Sequence, residues 1–119
     1  MENLKLCESD YRFMCVIWEN EPLPSGKLVE LCKEKLNWKK TTSFTVIKRL
    51  SERGIIQNQK GIVTSLISRE EFYSKHSEKY VEETFGGSLP AFLTAFSAGK
   101  KLSEKEVEEL QKIIDSMRG

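Results

Sequence analysis

The chain has 119 residues, 39% of them hydrophobic and 31% charged, with a formal net charge of +1. That length suits one compact domain, or a small domain with a helical appendage, and excludes a large multidomain enzyme. The composition is too apolar for disorder and too charged for a membrane protein, so a soluble, helix-rich chain is expected.

No stretch approaches the roughly 18 apolar residues that span a bilayer. The start, MENLKLCESDYRF, lacks the apolar core of a signal peptide, which predicts a cytoplasmic location. Cys7, Cys15 and Cys32 are odd in number and widely spaced, so neither a disulfide framework nor a CxxC metal site fits. They are read as reduced thiols, with Cys15 and Cys32 buried. Charge is uneven: residues 1–68 carry +3 and residues 69–119 carry −2. Between Lys39 and Lys60, six cations (Lys39, Lys40, Lys48, Arg49, Arg53, Lys60) face one acid, Glu52. Such a local excess attracts phosphate even on a neutral protein.

The first periodic segment, SDYRFMCVIWENE, has Ser9 as a candidate N-cap and Phe13, Met14, Val16 and Ile17 at helical spacing. It ends before Pro22 and Pro24. Ser25 is expected to cap a second helix, whose apolar stripe is Leu28, Leu31, Cys32 and Leu36 and whose solvated side is Lys27, Glu30, Lys33 and Glu34. A third helix follows in KKTTSFTVIKRLSERG, with Val46, Ile47 and Leu50 inward and Gly54 placed to end it. Its polar side holds Thr41, Thr42, Thr45, Lys48, Arg49 and Glu52. IIQNQKGIVTSLIS then reads as a hairpin turning at Lys60-Gly61. Three helices followed by a hairpin is the order of a winged helix-turn-helix, in which the third helix fits a major groove about 12 Å wide.

The second half is helical. Two capping boxes, Ser68 to Glu71 and Ser103 to Glu106, mark helix starts. Phe72, Tyr73, His76, Tyr80, Val81 and Phe85 follow the first, up to Gly86-Gly87. Ser88 caps a short helix with Pro90 in its first turn and Leu89, Phe92, Leu93 and Phe96 as its apolar set. The last helix, from Glu104 to about Met117, aligns Val107, Leu110, Ile113, Ile114 and Met117. These two helices carry more apolar surface than a roughly 30-residue appendage can bury against itself. Either they fold back on the first half or they meet a partner, and a symmetric dimer is the simplest partner.

With these elements placed, the chain resembles the penicillinase repressor family, which includes methicillin-resistance repressors and copper-responsive relatives. The resemblance rests on Thr41, Thr42, Thr45, Ile47, Arg49, Leu50, Arg53 and Gly54 against the family pattern TTVxTxLxRLxxKG. It also rests on Ile17-Trp18, SREEF at Ser68 to Phe72, FGGS at Phe85 to Ser88, and LSEKEVEEL at Leu102 to Leu110. It implies a mainly α protein with a small β wing: a winged helix-turn-helix at 1–68 binding DNA and a helical region at 69–119 forming a homodimer through Phe85, Leu89, Phe92, Leu93, Phe96, Val107, Leu110, Ile113, Ile114 and Met117. It further implies a repressor of a palindromic operator that an upstream signal removes, in resistance systems a β-lactam-sensing membrane receptor that leads to cleavage of the repressor. The matching segment is LTAFSAG, with Ala95-Phe96 nearest the cleavage position, although the Asn that precedes the Phe in resistance repressors is absent. The cysteine pairs of the copper-responsive members are absent from the final DSMRG. Ser43 stands where the family usually has Val, and the wing lacks the usual Arg and Tyr after its Gly.

Under that reading the DNA-facing residues are Lys40, Thr41, Thr42, Phe44, Thr45, Lys48, Arg49 and the wing's Lys60. Thr41 and Thr42 either meet phosphate and base edges or cap the helix. Phe44 either meets thymine methyls or turns inward to fill the space left by Ser43. Arg49 either forks onto phosphate or pairs with Glu52 or an acid of the second helix. Trp18 and Trp38 are assigned to packing. His76, the single histidine, has no cluster of ligands around it, so no catalytic site, metal site or cofactor is expected. The rival to a repressor is a winged-helix protein-interaction module without sequence-specific DNA binding, which the near-neutral charge favours.

Overall fold

The computed structural model describes residues 6–118. Its elements run α1 (Glu8–Asn20), β1 (Leu23–Pro24), α2 (Ser25–Leu36), α3 (Lys40–Glu52), β2 (Ile56–Gln59), β3 (Ile62–Ser65), α4 (Arg69–Phe85), α5 (Leu89–Ser97) and α6 (Glu104–Ser116). This is a mainly α chain with a winged helix-turn-helix followed by a helical region, as the periodicity predicts. Two compact units divide between Ser77 and Glu78, within α4. No helix among the described residues is long and apolar enough to cross a membrane.

The core of the first unit collects one face from each element. Phe13, Met14 and Ile17 come from α1, Leu28 and Cys32 from α2, Leu50 from α3, Ile56 from β2 and Val63 from β3, all fully buried or nearly so. Trp38 stacks on Phe13 with ring centroids 5.6 Å apart, and the Trp18 indole Nε1 donates to the Ile67 carbonyl at 3.0 Å. Both tryptophans therefore pack. Cys32 is buried, whereas Cys15 is only half-buried, because it lies beside rather than on the α1 stripe that faces α2 and β3.

Helix starts differ from the expectation at two places. Cys7, not Ser9, occupies the α1 N-cap, and no side chain caps it. Ser9 lies in the first turn and its hydroxyl meets the Cys7 thiol at 3.3 Å. Pro24, not Ser25, is the N-cap of α2, since proline's fixed φ suits the extended entry. The Ser25 amide donates instead to the Gly61 carbonyl at 2.8 Å, tying the wing turn to the head of α2.

The sheet has the order β1-β3-β2 and is antiparallel throughout. Beyond the expected hairpin, Leu23 and Pro24 add a two-residue edge strand, with Leu23 opposite Val63 and Pro24 opposite Ile62. Prolines disguised it in the sequence, but an edge strand tolerates a residue without an N–H. Lys60 and Gly61 join β2 to β3 with φ of 55° and 82°, the left-handed pair that a two-residue turn needs to match strand twist. Gly54 ends α3 at φ 77°.

Both capping boxes form. The Ser68 amide donates to the Glu71 carboxylate at 3.1 Å while the Glu71 amide donates to the Ser68 hydroxyl at 3.0 Å. Ser103 and Glu106 exchange the same pair of bonds at the head of α6. The start of α4 seats on α1 through Phe72, which stacks 5.7 Å from Tyr11 and lies 5.7 Å from Trp18. In the second unit Ser88 accepts from the Ala91 amide at 3.1 Å, and Phe85 meets Phe92 edge-on at 5.6 Å. No residue of α5 or α6 is fully buried within it.

Candidate nucleic-acid interface

Helix α3 divides cleanly into two sides. Ser43, Val46, Ile47 and Leu50, at i, i+3, i+4 and i+7, are buried and seat it on the core. Lys40, Thr41, Thr42, Phe44, Thr45, Lys48 and Arg49 are exposed. Seven of the eight residues expected to meet DNA thus lie outward on one helix, and the eighth, Lys60, is exposed on the β2–β3 turn.

The start of α3 is open. Its N-cap is Lys39, and no side chain accepts from the first-turn amides, so Thr41 and Thr42 are not caps. The Ser43 amide bonds back to the Lys39 carbonyl at 3.1 Å. The amides of Lys40, Thr41 and Thr42 precede that first helical bond and, with the positive end of the helix dipole, suit an anion. The Thr45 hydroxyl donates to the Thr41 carbonyl at 2.9 Å, which spends its proton within the helix.

Phe44 points outward. Its side chain is 43% exposed and the Lys40 ammonium sits 5.9 Å from the ring centroid. The inward alternative fails because Ser43 itself fills the buried position, fully shielded from solvent. Its Oγ has no hydrogen-bond partner among the described residues. Burial pushes the neighbouring Cys32 thiol up, and the adjacent Ser43 hydroxyl works in the opposite direction.

Arg49 behaves differently from either sequence-based alternative. Its Nη2 donates to the Asp10 carboxylate, on α1, rather than to Glu52 or an acid of α2. Asp10 is buried while the guanidinium remains about half exposed. Asp10 went unnoticed in the sequence, yet it lies on the stripe Asp10, Phe13, Met14, Ile17, and an acid on a core stripe signals a buried cationic partner. A second unforeseen clamp is Glu21, whose carboxylate accepts from the Ser65 amide at 2.6 Å and from its hydroxyl, fixing the end of the wing.

The residues expected to dimerise fall into two groups within the second unit. Phe85, Phe92, Leu93 and Leu110 are half-buried, whereas Leu89, Phe96, Val107, Ile113, Ile114 and Met117 are exposed. Phe92, Leu93, Phe96, Leu102, Leu110 and Ile113 line an apolar cleft of about 460 Å³. Ala95 and Phe96 lie in the last half of α5, both exposed.

Comparison with known proteins gives a consistent answer over most of the chain. The family model of the penicillinase repressor matches residues 6–116. A methicillin resistance regulatory protein MecI of Staphylococcus aureus is 24% identical, covering 93% of this chain and 94% of its own. A penicillinase repressor of Staphylococcus aureus is 21% identical over 98% of this chain and 95% of its own. That of Bacillus licheniformis is 20% identical over 93% and 90%.

Proposed function

The chain belongs to the penicillinase repressor family, and we propose that it is a transcriptional repressor that binds an inverted-repeat operator as a homodimer. The observation that carries this reading is the outward side of α3, where Lys40, Thr41, Thr42, Phe44, Thr45 and Lys48 stand together above an open helix start. A surface of this composition matches the phosphates and base edges of a major groove. Lys60 on the wing turn adds a cation for flanking backbone. In this reading Arg49 holds α3 to α1 and offers its remaining donors to phosphate.

The DNA-binding part is residues 1–68 and the dimerising part is 69–119. Support for the latter is the apolar cleft and the exposed Leu89, Phe96, Val107, Ile113, Ile114 and Met117, more large apolar surface than a monomer normally leaves wet. Dimerisation turns the second half-site contact into an intramolecular event, so losing the dimer lowers operator affinity by orders of magnitude. An upstream signal that breaks the dimer is then sufficient for derepression, and cutting α5 at Ala95-Phe96 by a sensor-linked protease is one such route. The relatives are named as a methicillin resistance regulatory protein and a penicillinase repressor, and an antibiotic-response role is proposed for this chain on that basis.

The test is selection from random duplex DNA with the purified full chain at near-physiological salt. An enriched inverted repeat is expected. A folded protein that enriches no sequence would overturn the repressor reading in favour of a protein-interaction module.

A further inference from the structure

Building on the DNA-binding reading above, we infer that Phe44 is the specificity-determining residue of α3 and that it selects thymine by packing on the C5-methyl group of one base in each half-site. The ring is a large aromatic on an otherwise polar helix side, 43% exposed, and contributes nothing to the core, since Ser43 occupies the inward position. It has neither donor nor acceptor, so it cannot read a base by hydrogen bonding. The thymine methyl is the one apolar group that base pairs display in the major groove.

Two neighbours support the assignment. The Thr45 hydroxyl proton is committed to the Thr41 carbonyl at 2.9 Å, so Thr45 beside the ring offers an acceptor and a methyl but no free donor for guanine O6 or N7. Lys40 lies over the ring with its ammonium 5.9 Å from the centroid. That contact restrains the ring at the helix start and keeps the cation where the flanking phosphate runs. The ring and the Thr45 methyl therefore form an apolar patch on the outward side, flanked by the cations of Lys40 and Lys48.

The experiment takes the operator found by selection and replaces each thymine in turn, in both half-sites, with deoxyuridine, which removes the methyl alone. One symmetric position is expected to weaken binding of the full-length dimer by roughly fourfold per methyl, about fifteenfold for the pair, from the value of one buried apolar carbon. Phe44→Ala is expected to bind thymine and deoxyuridine operators equally at that position, while Phe44→Leu keeps part of the preference. Circular dichroism and sedimentation check that the variants remain folded dimers. If a specific operator exists and Phe44→Ala leaves its thymine-to-deoxyuridine ratio unchanged at every position, the inference is wrong while the repressor reading stands. If no operator is selected, both fall.

Discussion

Arg49 on α3 donates to the carboxylate of Asp10 on α1, and Asp10 is buried. A residue whose type and position suggest phosphate binding thus ties α3 to α1. Removing one partner of such a pair leaves an uncompensated acid in the core. Arg49→Ala is expected to destabilise the first unit by about 1–3 kcal/mol, below the value for a fully buried pair because the guanidinium is half exposed. Lys48→Ala, on the outward strip, should leave stability within about 0.5 kcal/mol while flattening the salt dependence of operator binding by roughly one phosphate. Urea denaturation beside binding at several salt concentrations separates the two. An Arg49→Ala protein as stable as the parent would refute the anchoring role.

Ser43 leads to the opposite expectation. It is fully buried and its hydroxyl has no partner among the described residues, a cost that an apolar side chain of similar size would remove. Ser43→Val, the residue the family usually has here, should raise stability by about 1–2 kcal/mol and Tm by several degrees. A lower Tm would mean that the space between α2 and α3 is already filled and that valine overpacks it.

Elements with a strong period were legible from the residues alone. The α3 stripe of Val46, Ile47 and Leu50, the Lys60-Gly61 turn and both Ser/Glu capping boxes follow from local chemistry, and the structure forms each. Features that depend on distant partners were not. The strand Leu23–Pro24 exists because β3 offers an edge, and neither residue advertises it. Asp10 could be suspected from its place on a core stripe, but only the fold, which brings Arg49 of α3 to it, reveals its partner. Ser9 and Ser25 show the reverse error: good capping residues that come two and one residues too late, where Cys7 and Pro24 already supply the extended entry. Phe44 was ambiguous because its direction depends on whether Ser43 fills the inward site.

Tyr11 and Tyr73 share a hydrogen bond between their hydroxyls at 2.7 Å, joining α1 to α4. That bond, with partial burial and the nearby Cys15 thiol, holds the Tyr11 phenol above its ordinary value of 10.0. A raised folded value means that the native state keeps the proton which the unfolded chain releases. The contribution to stability is therefore complete below about pH 10 and is lost as pH rises towards the folded value. Tyr11→Phe should flatten the alkaline decline of stability and cost about 0.5–1.5 kcal/mol at neutral pH. An alkaline arm unchanged by the substitution would show that Tyr11 ionises as freely in the native state as in the unfolded chain.

Thiol chemistry offers an independent reading of the same unit. Cys7 is exposed, Cys15 half-buried and Cys32 buried with its thiol pushed up by burial. A water-soluble disulfide reagent at neutral pH should label Cys7 first and Cys15 more slowly, with Cys32 reacting only on unfolding, since access falls in that order and burial also disfavours the Cys32 thiolate. Labelling of Cys32 at the rate of Cys7 in native buffer would contradict the seating of α2 on α3.

The proposed dimer is best tested on side chains that the second unit leaves largely exposed. Leu110 and Phe92 are half-buried within it, so a charge there threatens folding as well as association. Ile113 is 54% exposed and Val107 50%, so each is less involved in packing within its own chain than Leu110 or Phe92. Ile113→Asp or Val107→Asp should leave helix content and the first unit's unfolding unchanged. Each should shift sedimentation from dimer to monomer and weaken operator binding at least a hundredfold, the lower end of the usual gain from linking two binding sites. The α3 surface is untouched by these changes, so any loss of affinity reports the dimer alone. A variant that stays dimeric and binds the operator normally would move the interface away from α6.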